Sequence, residues 1–206
     1  NYNIIQEGDV NDQEFARQFS LLYEVNNDKV QSLALFDNEG KLVAAEPVME
    51  QKDNVNVKSQ KWYTDALRDI ENIHFSTPHI QNLFADESYK YYWVISLSRS
   101  VDINNGKTPV SGVLLVDMKS SVISDTMKAI NEDSNEVYYY LCNREGEIIY
   151  HPRRTEIDRG LISEDVGKVA MLEDGTYELK LNGKSGNVVV GSIAYTGWKI
   201  VGVVPD

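Results

Sequence analysis

The stretch NREGEIIYHPRR (Asn143–Arg154) repeats a pattern already written about a hundred residues earlier as DNEGKLVAAEP (Asp37–Pro47). Both contain an acidic turn, a glycine, a short apolar run and a proline. In each case a β-rich run precedes the turn, and the glycine supplies the positive-φ residue that a tight hairpin needs. One hairpin design used twice implies a duplicated unit.

Reading outward from Gly40, the chain first offers a helix. Phe15, Phe19, Leu22 and Val25 recur at helical spacing over about residues 11–29, with Asp9, Asn11 or Asp12 available as N-cap. After the hairpin, SQKWYTDALRDI reads as a short helix capped by Ser59, with Trp62, Tyr63, Ala66, Leu67 and Ile70 on its inner side. FSTPHIQN (75–82) reads as loop. KYYWVISLSRSV then alternates Trp93, Ile95 and Leu97 with Val94, Ser96 and Ser98, and a turn at Asn105-Gly106 leads into VSGVLLVDM. The first unit closes near Met118.

A connecting helix, SSVISDTMKAI, presents Ile123, Met127 and Ile130 as its apolar stripe. Beyond it the pattern restarts around Gly146. Three more strands follow, with turns at Asn182-Gly183 and Tyr195-Thr196-Gly197. The second copy is shorter and shows no match to the Trp62-Tyr63 helix. The fold class is therefore α+β: a long N-terminal helix (1–30) backing two tandem units at 31–118 and 131–206, each a mainly antiparallel sheet with packed helices, joined by a helix at 119–130.

Composition excludes several functions. With 20 Lys+Arg against 32 Asp+Glu, no basic stripe exists to bind a phosphate backbone, so no nucleic acid partner is expected. The one cysteine, Cys142, sits in the apolar run VYYYLCN and reads as core. The longest apolar runs fall far short of the ~18 residues of a membrane-spanning helix. A start at Asn1 and an apolar close at WKIVGVVPD suggest a segment of a longer protein.

Six stretches carry a family resemblance across nearly the whole chain: WYTDAL (62–67), FSTPHIQN (75–82), YYWVISLSRSV (91–101), SGVLLVDM (111–118), NREGEIIYHP (143–152) and TGWKIVGVVP (196–205). Their order and spacing resemble a double-Cache sensor domain, and ISLSRSV followed by GVLLVDMKSSVI is most similar to YesM-type sensor histidine kinases of Firmicutes. The resemblance implies an extracellular module between two transmembrane helices, found in histidine kinases, chemoreceptors and diguanylate cyclases. It also implies that the two units are PAS-like (Cache) folds, a membrane-distal one that holds a small ligand and a membrane-proximal one that transmits. Dimerisation through the N-terminal helix, as a homodimer, is expected in the intact receptor.

Within that resemblance, domains that bind amino acids call for a tyrosine and an arginine before the Trp-Tyr pair, a tyrosine and an aspartate in the TPHIQ segment, and a late aspartate. Trp62, Tyr63 and Asp117 match. Gln60 stands at the arginine position, Val55 at the earlier tyrosine, and His79 and Gln81 at the other two. A neutral amide holds a carboxylate less firmly than a guanidinium fork. A neutral polar ligand such as a sugar suits aromatic faces with Asp, Gln and His hydrogen bonds, and YesM-type kinases are associated with carbohydrate uptake. Against these roles stand plainer ones. Trp62 and Tyr63 point about 100° apart on a helix, so one of them is free to be core, and Asp117 is placed to cap the helix after it.

No catalytic, cofactor or metal motif stands at a recognisable spacing, so no enzyme activity, cofactor or metal is expected. The nearest approach is Asp86 and Glu87 acting with Asp117 as a hydrolase pair. His74, His79 and His151 lack ligand spacing, and His151 reads as a structural hydrogen-bonder. An adhesion or assembly module is the alternative class, distinguished by the absence of a small-molecule pocket beside Trp62.

Overall fold

The computed structural model describes residues 3–5, 9–85, 91–104, 109–181 and 183–205, with backbone alone at 3–5, 9–12 and 104. The expected turn at Asn105-Gly106, the Asp86-Glu87 pair and Asn182 lie outside them. Two compact units divide the chain at Ser120/Ser121.

The first unit opens with β1 (Asn3–Ile5) and α1 (Asp9–Asn26), then the hairpin β2 (Val30–Phe36) and β3 (Leu42–Glu46). A 3-10 turn at Val57–Ser59 leads into α2 (Lys61–Arg68). Two short strands follow, β4 (His74–Phe75) and β5 (His79–Ile80), then the long pair β6 (Trp93–Asn104) and β7 (Pro109–Lys119). The sheet runs β1-β6-β7-β2-β3, with β4 and β5 added on β6. The segment read as loop thus contains two pieces of strand, because the ladder of β6 has free backbone groups that His74–Phe75 and His79–Ile80 pair with.

Because side chains alternate along a strand, the sheet has two faces with separate cores. On one face Phe19 of α1 packs against Leu33, Leu35 and Val101, with Phe15, Leu114 and Val116 around them. Only part of the expected apolar stripe of α1 is used this way. Phe15, Phe19 and Tyr23 meet the sheet, whereas Leu22 and Val25 are 50% and 70% exposed. On the other face α2 and the 3-10 turn cover Ala34, Phe36, Val113 and Leu115 with Val57, Tyr63 and Ala66. The N-cap of α2 is Gln60, not Ser59. Ser59 ends the 3-10 turn, where its hydroxyl donates to the Asn56 carbonyl. Ile70, expected on the inner side of the helix, lies past its end and is exposed.

The second unit contains α3 (Ser120–Glu132), β8 (Tyr138–Cys142), β9 (Ile148–Tyr150), α4 (Arg154–Asp158), α5 (Val166–Ala170) and the strands β10 (Gly175–Leu181), β11 (Lys184–Ser192) and β12 (Lys199–Pro205). Its antiparallel sheet runs β10-β11-β12-β8-β9. Met127 is the buried residue of α3, and the Asn131 amide at its end clasps both backbone groups of Tyr139. Val166, Val169 and Ala170 of α5 pack with Tyr140, Val188, Val190, Val201 and Val203. The second copy therefore does have a helix over its sheet. Five residues long, it is too short to show the period that marked α2. Cys142 is fully buried in this core, and burial pushes its thiol up to about 11.

The two glycines that disclosed the repeat have the same φ of 81°. A side chain there meets a left-handed penalty of about 1–2 kcal/mol at either position. Their surroundings differ: a Cβ at Gly40 would meet the flexible Lys58 side chain at 3.0 Å, but at Gly146 it would meet the Gly167 backbone of α5 at 2.7 Å. Urea denaturation should therefore show Gly146→Ala losing about 1 kcal/mol or more beyond the loss in Gly40→Ala. Equal losses would mean that the second turn is not wedged under α5.

Candidate functional site

Three strands of the first sheet place Ser32, Asp117 and Ser96 side by side. The register pairs Ser32 with Asp117 across β2 and β7, and Asp117 with Ser96 across β7 and β6. The three residues share the face that α2 covers, each only 3% exposed. One row further along the same face, Ala34, Leu115 and Ser98 are in register, and the next row has Phe36 and Val113. The apolar core thus gives way to a polar row toward one end of the sheet.

Asp117 Oδ1 accepts the Ser96 hydroxyl at 2.6 Å. The His79 ring stands behind Ser96, with Nε2 3.3 Å from Ser96 Oγ and Nδ1 2.9 Å from the Thr77 carbonyl. Ser76 completes the group: its Oγ lies 3.3 Å from His79 Nδ1 and accepts the Ser96 backbone N–H at 2.8 Å. Thr77 takes the Nδ1 proton while the single Ser96 proton goes to Asp117. His79 therefore meets both partners as a donor when its ring carries both protons. The short strand β5 holds it there, because His79 pairs with Val94 two residues from Ser96.

Burial raises the Asp117 carboxyl above the ordinary aspartate range, and the Ser96 hydrogen bond and nearby His79 only partly oppose that shift. The site thus keeps a carboxylate whose charge the protein incompletely compensates. Its side chain faces Ser96 and does not cap α3.

A cleft of about 310 Å³ opens beside this row, walled by Ser32, Gln81, Tyr92, Pro47 and Met49 among others, with no lysine or arginine among its described lining residues. Gln81 is held in place by its own loop. Its Oε1 accepts the backbone N–H groups of Leu83 and Phe84 at 2.5 and 2.7 Å, and its Nε2 donates to the Phe84 carbonyl.

The sequence candidates therefore separate into two groups. Asp117, His79 and Gln81 come together at the polar end of the sheet. Of the six, only Gln81 is in the cleft wall; Asp117 and His79 belong to the row that Ser32 joins to it, and Trp62, Tyr63 and Gln60 are in neither. Trp62 packs on Phe36 with ring centroids 5.2 Å apart, and its carbonyl accepts the Ser98 hydroxyl at 2.7 Å. Tyr63 is buried, and its hydroxyl donates to the Asp37 carbonyl at 2.7 Å, tying α2 to the first hairpin turn. Gln60 is half-buried and makes no capping bond with its side chain. Ser32, Ser76 and Ser96 were not singled out in the sequence. Only Ser96 carried a signal, as one of the serines at alternate positions of β6; Ser32 is the single serine of β2 and Ser76 lies between β4 and β5.

A raised carboxyl has a definite thermodynamic sign. Between the ordinary aspartate value of ~3.9 and its raised native value, the folded protein binds the extra proton, so stability falls as pH rises through that window. Above the raised value the cost is fully present. Asp117→Asn should therefore melt at a higher temperature than the parent protein at pH 7, with the gap closing as the solution is acidified through the raised pKa. A variant less stable at pH 7 would show the carboxylate to be well compensated.

The sequence profile of the Cache domain family (dCache_1) matches residues 3–206. A probable methyl-accepting chemotaxis protein of Bacillus thuringiensis is 23% identical over 89% of this chain, which spans 26% of that relative's length. The ligand-binding domain of the Pseudomonas aeruginosa amino acid chemoreceptor PctC, in complex with GABA, is 17% identical and superposes with a TM-score of 0.67, covering 98% of this chain and 84% of that one. The corresponding domain of the Pseudomonas fluorescens chemoreceptor CtaA, in complex with L-isoleucine, is 16% identical with a TM-score of 0.65, over 96% and 77%. These relatives are chemoreceptors, so the comparisons carry the resemblance to the Cache fold and not to YesM-type kinases in particular. With one profile running through both β-sheet units, the chain belongs to the Cache domain family.

Proposed function

We propose that this chain is the extracellular sensing domain of a membrane-anchored signalling receptor. Its first unit would bind a small polar molecule without a carboxylate, with a monosaccharide-sized polyol as the leading class. The observation that carries this reading is the buried Asp117–Ser96–His79 row beside a cleft whose described walls carry no cation. GABA and L-isoleucine, the molecules in the PctC and CtaA complexes, each have an ammonium and a carboxylate. Asp117 suits an ammonium or a hydroxyl, but the position expected to hold the carboxylate's arginine is the neutral Gln60. A volume of about 310 Å³ lies at the small end for ligand pockets.

The chemoreceptor relatives favour a chemotaxis receptor as the parent protein, and the ISLSRSV stretch favours a sensor kinase. In either, the ligand changes output only through its different affinity for two conformations, and ~1–3 kcal/mol of coupling changes output from several-fold to about a hundredfold. The first unit would be membrane-distal and ligand-holding, and the second membrane-proximal. The exposed Leu21, Leu22 and Val25 of α1 support its use as a homodimer contact in the intact receptor.

Thermal unfolding against a panel of sugars, amines, α-amino acids and organic acids tests the reading. A saturating sugar at 100 times its Kd should add about 2.7 kcal/mol to the parent protein. It should add little to Asp117→Asn, which keeps the shape of the site but not its charge. Stabilisation by an α-amino acid, undiminished in that variant, would overturn both the ligand class and the site.

A further inference from the structure

The second unit contains its own buried carboxylate. Glu164 precedes α5, and its side chain is 5% exposed. Its Oε1 accepts both the Tyr138 hydroxyl and His151 Nε2–H, the latter at 3.1 Å. His151 is wholly enclosed, and its Nδ1 accepts the Arg153 backbone N–H at 2.9 Å, which leaves Nε2 as the protonated nitrogen. Tyr140 stacks on the imidazole with centroids 5.2 Å apart. Burial, followed by the bond to Glu164, raises the Tyr138 hydroxyl well above its usual value, so it remains a donor. Both internal donors thus converge on one oxygen of Glu164.

The other oxygen, Oε2, has no donor among the described residues. Glu164 also forms a wall of a cleft of about 320 Å³ with Ser163, Asp165, Lys180 and Leu181. With both internal donors on one oxygen, the Glu164 carboxylate keeps acceptor capacity on the other, and its residue lines the cleft. Asp165 adds a second negative charge to the wall, and Lys180 supplies the opposing cation without pairing with Glu164. No group of three or more metal-ligating side chains occurs among the described residues, so the donor set suits an ammonium better than a metal ion.

We propose that the second unit carries a separate site for a small protonated amine, with Glu164 Oε2 as its principal acceptor. Lys180 disfavours a second positive charge on the ligand and keeps the site selective for monoamines. The site is independent of the ligand proposed for the first unit.

The probe is ethylamine, with ethanol as its neutral counterpart, followed by backbone amide NMR shifts in the 206-residue chain. Ethylamine should give saturable shifts at residues 163–165 and 180–181 in the parent protein and equally in Asp117→Asn. Glu164→Gln retains an oxygen for Tyr138 and His151 and presents an NH2 group to the cleft, so it should weaken binding at least tenfold. Lys180→Ala leaves the buried cluster untouched and should tighten binding several-fold, which provides a second reading if Glu164→Gln does not fold. Ethanol should not saturate. Unchanged affinity in Glu164→Gln or Lys180→Ala, equal binding of ethanol, or loss of binding in Asp117→Asn would overturn the proposal. So would calcium chloride producing the saturable shifts that ethylamine does not.

Discussion

Putting a carboxylate inside a β-sheet face is the constraint from which the rest of the first unit follows. Asp117 is on a central strand, with β2 on one side and β6 on the other, so bulk water reaches it from neither edge. An ion in that position needs hydrogen-bond donors, and the cross-strand neighbours are the residues close enough to provide them. Ser96 does so directly, and the short strand β5 brings His79 within reach of Ser96. The neighbouring rows are apolar and carry α2, which Ser98 and Tyr63 stitch to the sheet and to the first hairpin turn. The packing that stabilises the unit and the polarity that would recognise a ligand are thus divided between adjacent rows of one face.

The second unit solves a similar problem with different parts. Its carboxylate, Glu164, sits on the segment leading into α5, and its donors are a tyrosine of β8 and a histidine just after β9. In each unit a histidine that follows a short strand, or lies within one, approaches a buried acid, but the chemistry is not the same. His79 meets Asp117 through a serine and serves best as a double donor, whereas His151 accepts a backbone N–H and binds its glutamate directly. The two units share the turn glycines and the antiparallel hairpin frame around them. Their polar clusters differ, as expected where scaffold and site have separate requirements.

Much of this frame could be read from residues alone, because its signals are local. Gly40 and Gly146 announced two hairpins, and alternation in the long strands announced the sheets. The helix over the second sheet escaped notice because five residues show no period. The exposed Leu22 and Val25 look like core in a helical projection until the direction of the sheet chooses Phe15, Phe19 and Tyr23 instead. The site was legible in part. Asp117 is a lone acid closing the apolar run GVLLV, and His79 came only from the family resemblance, whereas Trp62 and Tyr63 attract attention as aromatic faces, and only the position of Phe36 opposite them shows their packing role. Strand register is a long-range property, so the Ser32–Asp117–Ser96 row could not be seen before the strands were paired.

The most direct measurement is a carbon-detected NMR titration of the Asp117 side-chain carboxyl, in the free protein and with a saturating ligand found by screening. In the free protein it should titrate above the ordinary aspartate range, as burial without full compensation requires. A bound donor should lower it toward or below that range. A carboxyl that titrates normally in the free protein, or that does not respond to the ligand, would contradict a recognition role for Asp117.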